Sequence, residues 1–133
     1  MDLYNHKNRL SCEELDELAT KSLKLNIPEK MFPIFQTHRG LLYYPNPEII
    51  KSYLSHFIQN NDYVGFREFY ASISKNYFIK KCQYFYDNAI PFAYENQDYE
   101  LITEMFLNIS DYENLDLSQF LNIIVASNEY FMN

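Results

Sequence analysis

The amino-acid sequence predicts an all-α protein with about six to seven helices. Only two Gly occur in 133 residues, alternation of apolar and polar residues is scarce, and helix start signals recur along the chain. A chain of this length with 47% hydrophobic residues is of single-domain size and can bury a core. We therefore expect one α-helical domain over residues 1–133.

The first helix is predicted over about residues 11–25. Ser11 can cap this helix, and Glu14, three residues later, completes a capping box. Leu10 can pack against Leu15 as a hydrophobic staple. The residues expected on its narrow inward face are Leu15, Leu18, Ala19 and Ser22.

The segment over residues 26–45 is predicted to be irregular. Pro28 can open a short helix through "PEKMF", Pro33 is expected to interrupt it, and "THRGLLYYPNP" reads as a loop or a short extended stretch. Order resumes where Asn46 caps a helix, Pro47 takes the first helical position, and Glu48 favours the positive end of the dipole. The wide apolar stripe of this helix consists of Ile49, Ile50, Tyr53, Leu54, Phe57 and Ile58.

Four more helices complete the predicted fold. Asp62, Asp98 and Asp116 are each placed to cap a helix, and Pro91 should kink another near its end. The four helices are predicted over about residues 62–74, 77–94, 98–108 and 116–128. The inward face of the first of them consists of Phe66, Phe69, Tyr70 and Ile73, and that of the second consists of Phe78, Cys82, Phe85 and Ala89. The inward face of the last consists of Leu117, Phe120, Leu121, Ile124 and Val125.

The chain contains an internal repeat with an offset of 36 residues. "QNNDYVGFREFYASIS" (59–74) aligns with "ENQDYELITEMFLNIS" (95–110). This repeat predicts αα-hairpins over about residues 46–74 and 77–109, stacked in a short solenoid-like array. The identical pairs are Asn60/Asn96, Asp62/Asp98, Tyr63/Tyr99, Glu68/Glu104, Ile73/Ile109 and Ser74/Ser110.

The repeated "DYxxxxExF/Y" pattern resembles the second helix of a tetratricopeptide repeat. The resemblance covers two copies, roughly residues 46–110. The period is 36 rather than the family's value of about 34, and Phe66 and Ile102 stand where that family has a small residue. The resemblance therefore implies a tetratricopeptide-like curl of helices without the family's peptide-clamp residues.

The charges are divided unevenly along the chain. Residues 1–81 hold all 11 Lys and Arg against nine acids, whereas residues 82–133 hold nine acids and no Lys or Arg. An acidic surface repels nucleic acid and anionic lipid and attracts basic partners. The default explanation is a solvated surface that keeps the protein in solution, and the alternative is a surface that meets a basic protein.

Several acids of the last third are not explained by capping, since Asp98 and Asp116 account for the helix starts. The others fall at helix ends and turns. In stacked hairpins the turns lie along the edges of the array, so these acids would form one continuous anionic ridge. Two tyrosines lie among them, and Tyr is a favoured hot-spot residue. The predicted partner-binding residues are Glu95, Tyr99, Glu100, Glu104, Asp111, Tyr112 and Glu113.

The sequence contains no catalytic or cofactor signature. His6, His38 and His56 are isolated, and neither Cys12 nor Cys82 lies in a CxxC or Cys–His spacing. We expect two reduced thiols, with Cys82 buried as a small hydrophobe, and no metal, cofactor or enzymatic activity. Neither a signal peptide nor a membrane span is predicted, so the expected location is cytoplasmic.

In size, charge and lack of chemistry the chain is similar to bacterial immunity proteins, the antitoxins of polymorphic toxins and of contact-dependent growth inhibition. The resemblance implies an inhibitor that is monomeric before binding and that occludes a basic toxin domain, often a nuclease. It implies no nucleic-acid or membrane partner. The alternative is a tetratricopeptide-like adaptor or chaperone that holds a peptide segment in a helical groove.

Overall fold

The computed structural model describes residues 10–36, 45–74, 82–109, 116 and 118–132, and these residues contain helices and turns but no strand. The predicted all-α class is confirmed. The seven α-helices of this part of the chain are α1 (Cys12–Lys24), α2 (Phe32–Phe35), α3 (Pro47–Gln59), α4 (Tyr63–Ile73), α5 (Gln83–Glu95), α6 (Tyr99–Ile109) and α7 (Leu121–Met132), with 3₁₀ helices at Pro28–Met31 and Ser118–Phe120.

The chain divides into two compact units, residues 1–76 and 77–133, which we call the N-terminal and C-terminal units. In the N-terminal unit α1 packs on the first 3₁₀ helix and on α3, and α4 packs on α2 and α3. In the C-terminal unit α6 packs between α5 and α7. The single domain and the stacking of hairpins into an array stay predictions.

The core of the N-terminal unit is a cluster of aromatic rings centred on Phe69 of α4. The Phe69 ring stacks on Tyr53 at 5.5 Å between centroids and lies 5.6 Å from Phe57. It also contacts Phe35 at 6.0 Å and Phe32 at 6.2 Å. Phe69 is fully buried, so one side chain joins the rings of α2, α3 and α4.

Tyr53 connects this cluster to α1. Its hydroxyl donates a hydrogen bond of 2.8 Å to the carbonyl oxygen of Ala19, so the buried polar group is satisfied. Burial raises the pKa of Tyr53 well above its ordinary value, and the negative charge of Glu29 raises it further.

The capping predictions are confirmed at every helix start where the structure gives the bond. At α1, the Glu14 backbone N–H donates to Ser11 Oγ and the Ser11 N–H donates to Glu14 Oε1, both at 3.1 Å. This is the predicted capping box. At the other predicted caps a side-chain oxygen accepts a hydrogen bond from a backbone N–H two or three residues later. The pairs of acceptor and donor are Asn46 and Glu48, Asp62 and Gly65, Asp98 and Leu101, and Asp116 and Ser118.

Pro33 does not interrupt the helical segment, and that prediction was wrong. The 3₁₀ helix Pro28–Met31 runs directly into α2, and Pro33 lies in the first turn of α2. A backbone N–H in the first turn has no partner within the helix, so Pro loses nothing there. The expected loop over residues 37–44 lies outside the described residues.

The predicted inward face of the last helix is confirmed at Phe120, which is buried, and wrong at Leu121 and Val125, while Leu117 lies outside the described residues. Leu121 and Val125 are 60% and 54% exposed, whereas Phe120 and Ser127 are buried. The side chains turned inward are spaced as i, i+3, i+4 and i+7, which places them on one helical stripe. That stripe consists of Phe120, Ile123, Ile124 and Ser127.

The start of α5 also differs from its prediction in the described region. Cys82 is half-buried at the N-cap position rather than in the core of a helix that begins near residue 77. The helix continues through Pro91 to Glu95 without an end at the proline. Residues 77–81, with Phe78, lie outside the described residues, and the kink at Pro91 stays a prediction.

Gln83 of α5 ties the segment before α7 to the rest of the C-terminal unit. Its side-chain amide donates to the Asp116 carbonyl oxygen at 2.8 Å and accepts from the Asp116 N–H at 2.7 Å. The hydroxyl and backbone N–H of Ser118 donate to the Asp116 carboxylate and lower its pKa. These bonds fix where the chain enters α7.

Three helices of the described chain end in the same left-handed turn. Asn26, Asn61 and Gln97 follow α1, α3 and α5 with positive φ angles of 59°, 50° and 57°. In each turn this residue donates its N–H three residues back, and the next residue donates five residues back, which is the Schellman arrangement. The two copies of the 36-residue repeat therefore share their turn geometry as well as their sequence.

Replacing Gln97 with Gly should stabilise the protein by about 0.5–1 kcal/mol, because Gly adopts a positive φ without the steric cost of a Cβ atom. Chemical denaturation measures the free energy of unfolding. Gln97→Ala is the matched control, since it removes the polar side chain but keeps the Cβ atom. Equal stabilisation by both variants would contradict the explanation.

Candidate protein-binding surface

The structure describes four of the seven predicted partner-binding residues, all in the C-terminal unit. Glu95 ends α5, and Tyr99, Glu100 and Glu104 lie on α6. The three glutamates are exposed and Tyr99 is half-buried. The remaining three, Asp111, Tyr112 and Glu113, lie outside the described residues, so the continuous ridge stays a prediction.

Tyr99 belongs to an aromatic patch formed by the ends of three helices. Its ring stacks on Tyr130 of α7 at 4.8 Å between centroids and 27° between planes. Tyr94 of α5 meets Tyr99 edge-on at 6.3 Å, and Phe131 meets Tyr130 edge-on at 5.0 Å. We call Tyr94, Tyr99, Tyr130 and Phe131 the aromatic patch.

The aromatic patch is largely open to solvent. Tyr94 is 40% exposed, Tyr130 55% and Phe131 51%. Contacts between the rings hold their orientations, so little conformational freedom would be lost when a partner covers them. Ordered, exposed tyrosines of this kind are typical of the centre of a protein–protein interface.

A glutamate is the chain neighbour of each tyrosine in the patch. Glu95 follows Tyr94, Glu100 follows Tyr99, and Glu129 precedes Tyr130, and all three glutamates are exposed. The described residues of the C-terminal unit contain no Lys or Arg to neutralise them. The patch therefore offers aromatic faces and carboxylates together, which suits a partner with arginine or lysine side chains.

Helix stability does not explain two of these acids. Glu95 is the last residue of α5, where the dipole disfavours a negative charge. Glu104 follows Glu100 by one helical turn, and like charges at this spacing are destabilising. Glu100, in the first turn of α6, is favoured by the dipole and needs no further reason.

Exposed apolar side chains are concentrated in the same unit. Of the ten large apolar or aromatic residues that are exposed in the described part of the chain, eight belong to the C-terminal unit and two to the N-terminal unit. On α7 they include Leu121, Val125 and Met132, whose spacing places them on one side of the helix.

Sequence reasoning found Tyr99 and missed Tyr94, Tyr130 and Phe131. The signal that could have found Tyr130 and Phe131 is the end of α7, where the run Tyr130–Met132 cannot lie entirely on one buried stripe. The stacking of Tyr99 on Tyr130 joins residues 31 positions apart and requires the packing of α6 on α7.

No protein-family model, curated protein or solved structure matches this chain. Among the residues that the structure describes, no helix has both the length and the apolar character needed to cross a bilayer. Within the same residues, no group of three or more His, Cys, Asp or Glu side chains is arranged to hold a metal ion.

Proposed function

We propose that this chain is an immunity protein, an antitoxin that neutralises a basic toxin domain by covering it. The observation that carries the proposal is the aromatic patch with a glutamate beside each tyrosine, on a unit whose described residues include no cation. The patch supplies apolar contact area, and the glutamates supply charge complementarity.

The proposed mechanism is occlusion. A nuclease binds its substrate through Lys and Arg side chains that neutralise phosphates. The carboxylates of Glu95, Glu100 and Glu104 would compete for the same cations, while the patch packs on apolar surface near the cleft. Opposite charges on the two proteins also accelerate their association, and the acceleration falls as salt concentration rises.

In this proposal the chain acts in the cytoplasm as a monomer until it meets its partner. Two copies would bring acidic surfaces together, and like charges across an interface cost several kcal/mol. No cofactor, metal or enzymatic step enters the mechanism. Inhibition follows from binding alone.

The second candidate function is a tetratricopeptide-like adaptor or chaperone. The exposed apolar positions of α7, Leu121, Val125 and Met132, favour this alternative, because an apolar helix face suits a peptide docked in a groove. Binding by that route depends on apolar burial and changes little with salt. Binding of a basic toxin domain weakens strongly as salt rises.

The immobilised full-length chain should capture a basic protein from the source organism. Expression of the captured protein alone should then arrest growth, and co-expression of this chain should restore growth. The complex should also weaken at least about 10-fold between roughly 50 and 500 mM salt, as expected for a charged interface. Recovery of no basic protein, or of a basic protein whose toxicity this chain does not relieve, would refute the antitoxin function.

A further inference from the structure

The aromatic patch leaves ring surface open to a ligand. Tyr99 covers one face of the Tyr130 ring, and Tyr130 nevertheless stays 55% exposed. Phe131 stands at 86° to Tyr130, with 5.0 Å between the ring centroids, and is 51% exposed. The two rings therefore form a corner at the end of α7 in which both remain accessible.

Tyr99 sets the position of the outer rings. Its side chain is half-buried on α6 and contacts Tyr94 of α5 as well as Tyr130 of α7. Tyr130 is thus held by a contact between helices and not by the end of α7 alone. Because the ring is already oriented, a ligand that packs on it restricts little further motion of the protein.

The electrostatic surroundings of the rings are negative. The exposed glutamates next to patch residues in the chain, Glu95, Glu100 and Glu129, are accompanied by no Lys or Arg in the described residues of the C-terminal unit. Tyr130 and Phe131 also lie in the last turn of α7. Carbonyl groups in the last turn of a helix have no N–H partner within the helix and carry the negative end of its dipole. A cation is therefore favoured at this corner.

Aromatic rings and negative charge together select among ligands. An apolar segment could cover the rings, but it would take water from the neighbouring carboxylates without supplying an opposite charge. A lysine supplies the charge, but its ammonium group is compact and strongly hydrated. An arginine carries the charge on a planar, weakly hydrated group that stacks on aromatic faces and donates hydrogen bonds to carboxylates and carbonyl oxygens.

We propose that the aromatic patch binds an arginine side chain of the protein partner, with the guanidinium group packed on Tyr130 and Phe131. This inference rests on the proposed function, from which it takes the basic partner, and it names the residue type that the partner presents. The glutamates then set the rate of association and its dependence on salt. The two rings set the preference for arginine over lysine.

Two blocked peptides of equal charge test this preference on the full-length protein at low salt. Each contains three basic residues separated by glycines, with arginine in one peptide and lysine in the other. The amide NMR signals of residues 129–132 report the binding of each. The arginine peptide should bind at least about 3-fold more tightly, because its side chains gain the stacking contact. Equal affinity would show that charge alone attracts the peptides and would overturn the inference.

The double variant Tyr130→Leu/Phe131→Leu keeps apolar side chains at both positions and removes the aromatic faces. It should bring the two peptides to the same affinity, within about 2-fold, while both still bind through the glutamates. A ratio of two affinities measured on one variant is little affected by a small loss of stability.

Tyr84→Leu is the matched control, since Tyr84 is a 38% exposed tyrosine of α5 that lies outside the patch. This variant should keep the preference for the arginine peptide. A preference that persists in the double variant, or that disappears in the control, would place the arginine elsewhere and refute the inference.

The inference and the antitoxin function can fail separately. A captured toxin that binds the parent and the Tyr130/Phe131 variant equally well, and that both relieve, would retain the antitoxin function and remove the arginine contact. Selection of the arginine peptide by a protein that relieves no toxin would retain the arginine contact and remove the antitoxin function.

Discussion

Replacement of Phe69 by Ala should lower the free energy of unfolding by about 3–5 kcal/mol. Phe69 is fully buried and its ring contacts Phe32, Phe35, Tyr53 and Phe57, so truncation removes one side of four aromatic contacts at once. The neighbouring rings come from two other helices and cannot all move into the space left. A loss of this size is a large part of the stability of a small protein.

Urea denaturation followed by circular dichroism measures this effect. Val64→Ala is the matched control, because Val64 lies on the same helix and is 71% exposed. This control should change the free energy of unfolding by no more than about 0.5 kcal/mol. A cost below about 1 kcal/mol for Phe69→Ala would mean that the aromatic cluster is not the centre of the core.

The second large effect concerns binding of the captured partner. The double variant Glu95→Lys/Glu104→Lys should weaken binding by a factor on the order of 100, because each substitution turns an attraction into a repulsion against a basic surface. Neither substitution should harm the fold. Lys is favoured at the last residue of α5, and a lysine introduced one turn after Glu100 would form a favourable pair with it.

Because the double variant is expected to be as stable as the parent or slightly more so, lost binding cannot be attributed to unfolding. Glu13→Lys/Glu17→Lys has the same net charge and alters α1, so it should bind with nearly unchanged affinity. Isothermal titration calorimetry of the parent and both variants gives the comparison. If the Glu95/Glu104 variant binds as well as the parent, the adaptor function is favoured instead.

The sequence was sufficient for those parts of the fold that depend on near neighbours. The caps at Ser11, Asn46, Asp62 and Asp98 each use a hydrogen bond to a residue two or three positions away, and residue type decides such bonds. The 36-residue offset likewise located two turns that share their hydrogen bonds, since turn geometry is also local.

Features that depend on packing were harder to predict. The inward face of α7 was predicted wrongly at Leu121 and Val125 because apolar residues occur on nearly every side of this helix, so these two were as eligible for the core as Ile123. The burial of the polar Ser127 could not be expected from its residue type. Pro33 was misread because its effect depends on whether it falls in a first turn or in a helix interior.

The sequence predicted the acidic residues of the candidate surface but not the aromatic side chains that lie beside them. Glu95, Glu100 and Glu104 were found because capping did not account for them. The aromatic patch was not found, because Tyr94, Tyr99 and Tyr130 come from three helices and meet only when these pack.

The buried hydroxyl of Tyr53 makes the stability of the fold decrease at high pH. Folding raises the pKa of this group above the value of about 10 that it has in an unfolded chain. Its contribution to stability is therefore complete below about pH 10 and declines as the pH rises from there toward the folded-state pKa, because only the unfolded chain releases the proton readily. The bond from Tyr53 to Ala19, which joins α3 to α1, thus makes the N-terminal unit sensitive to base through a single proton.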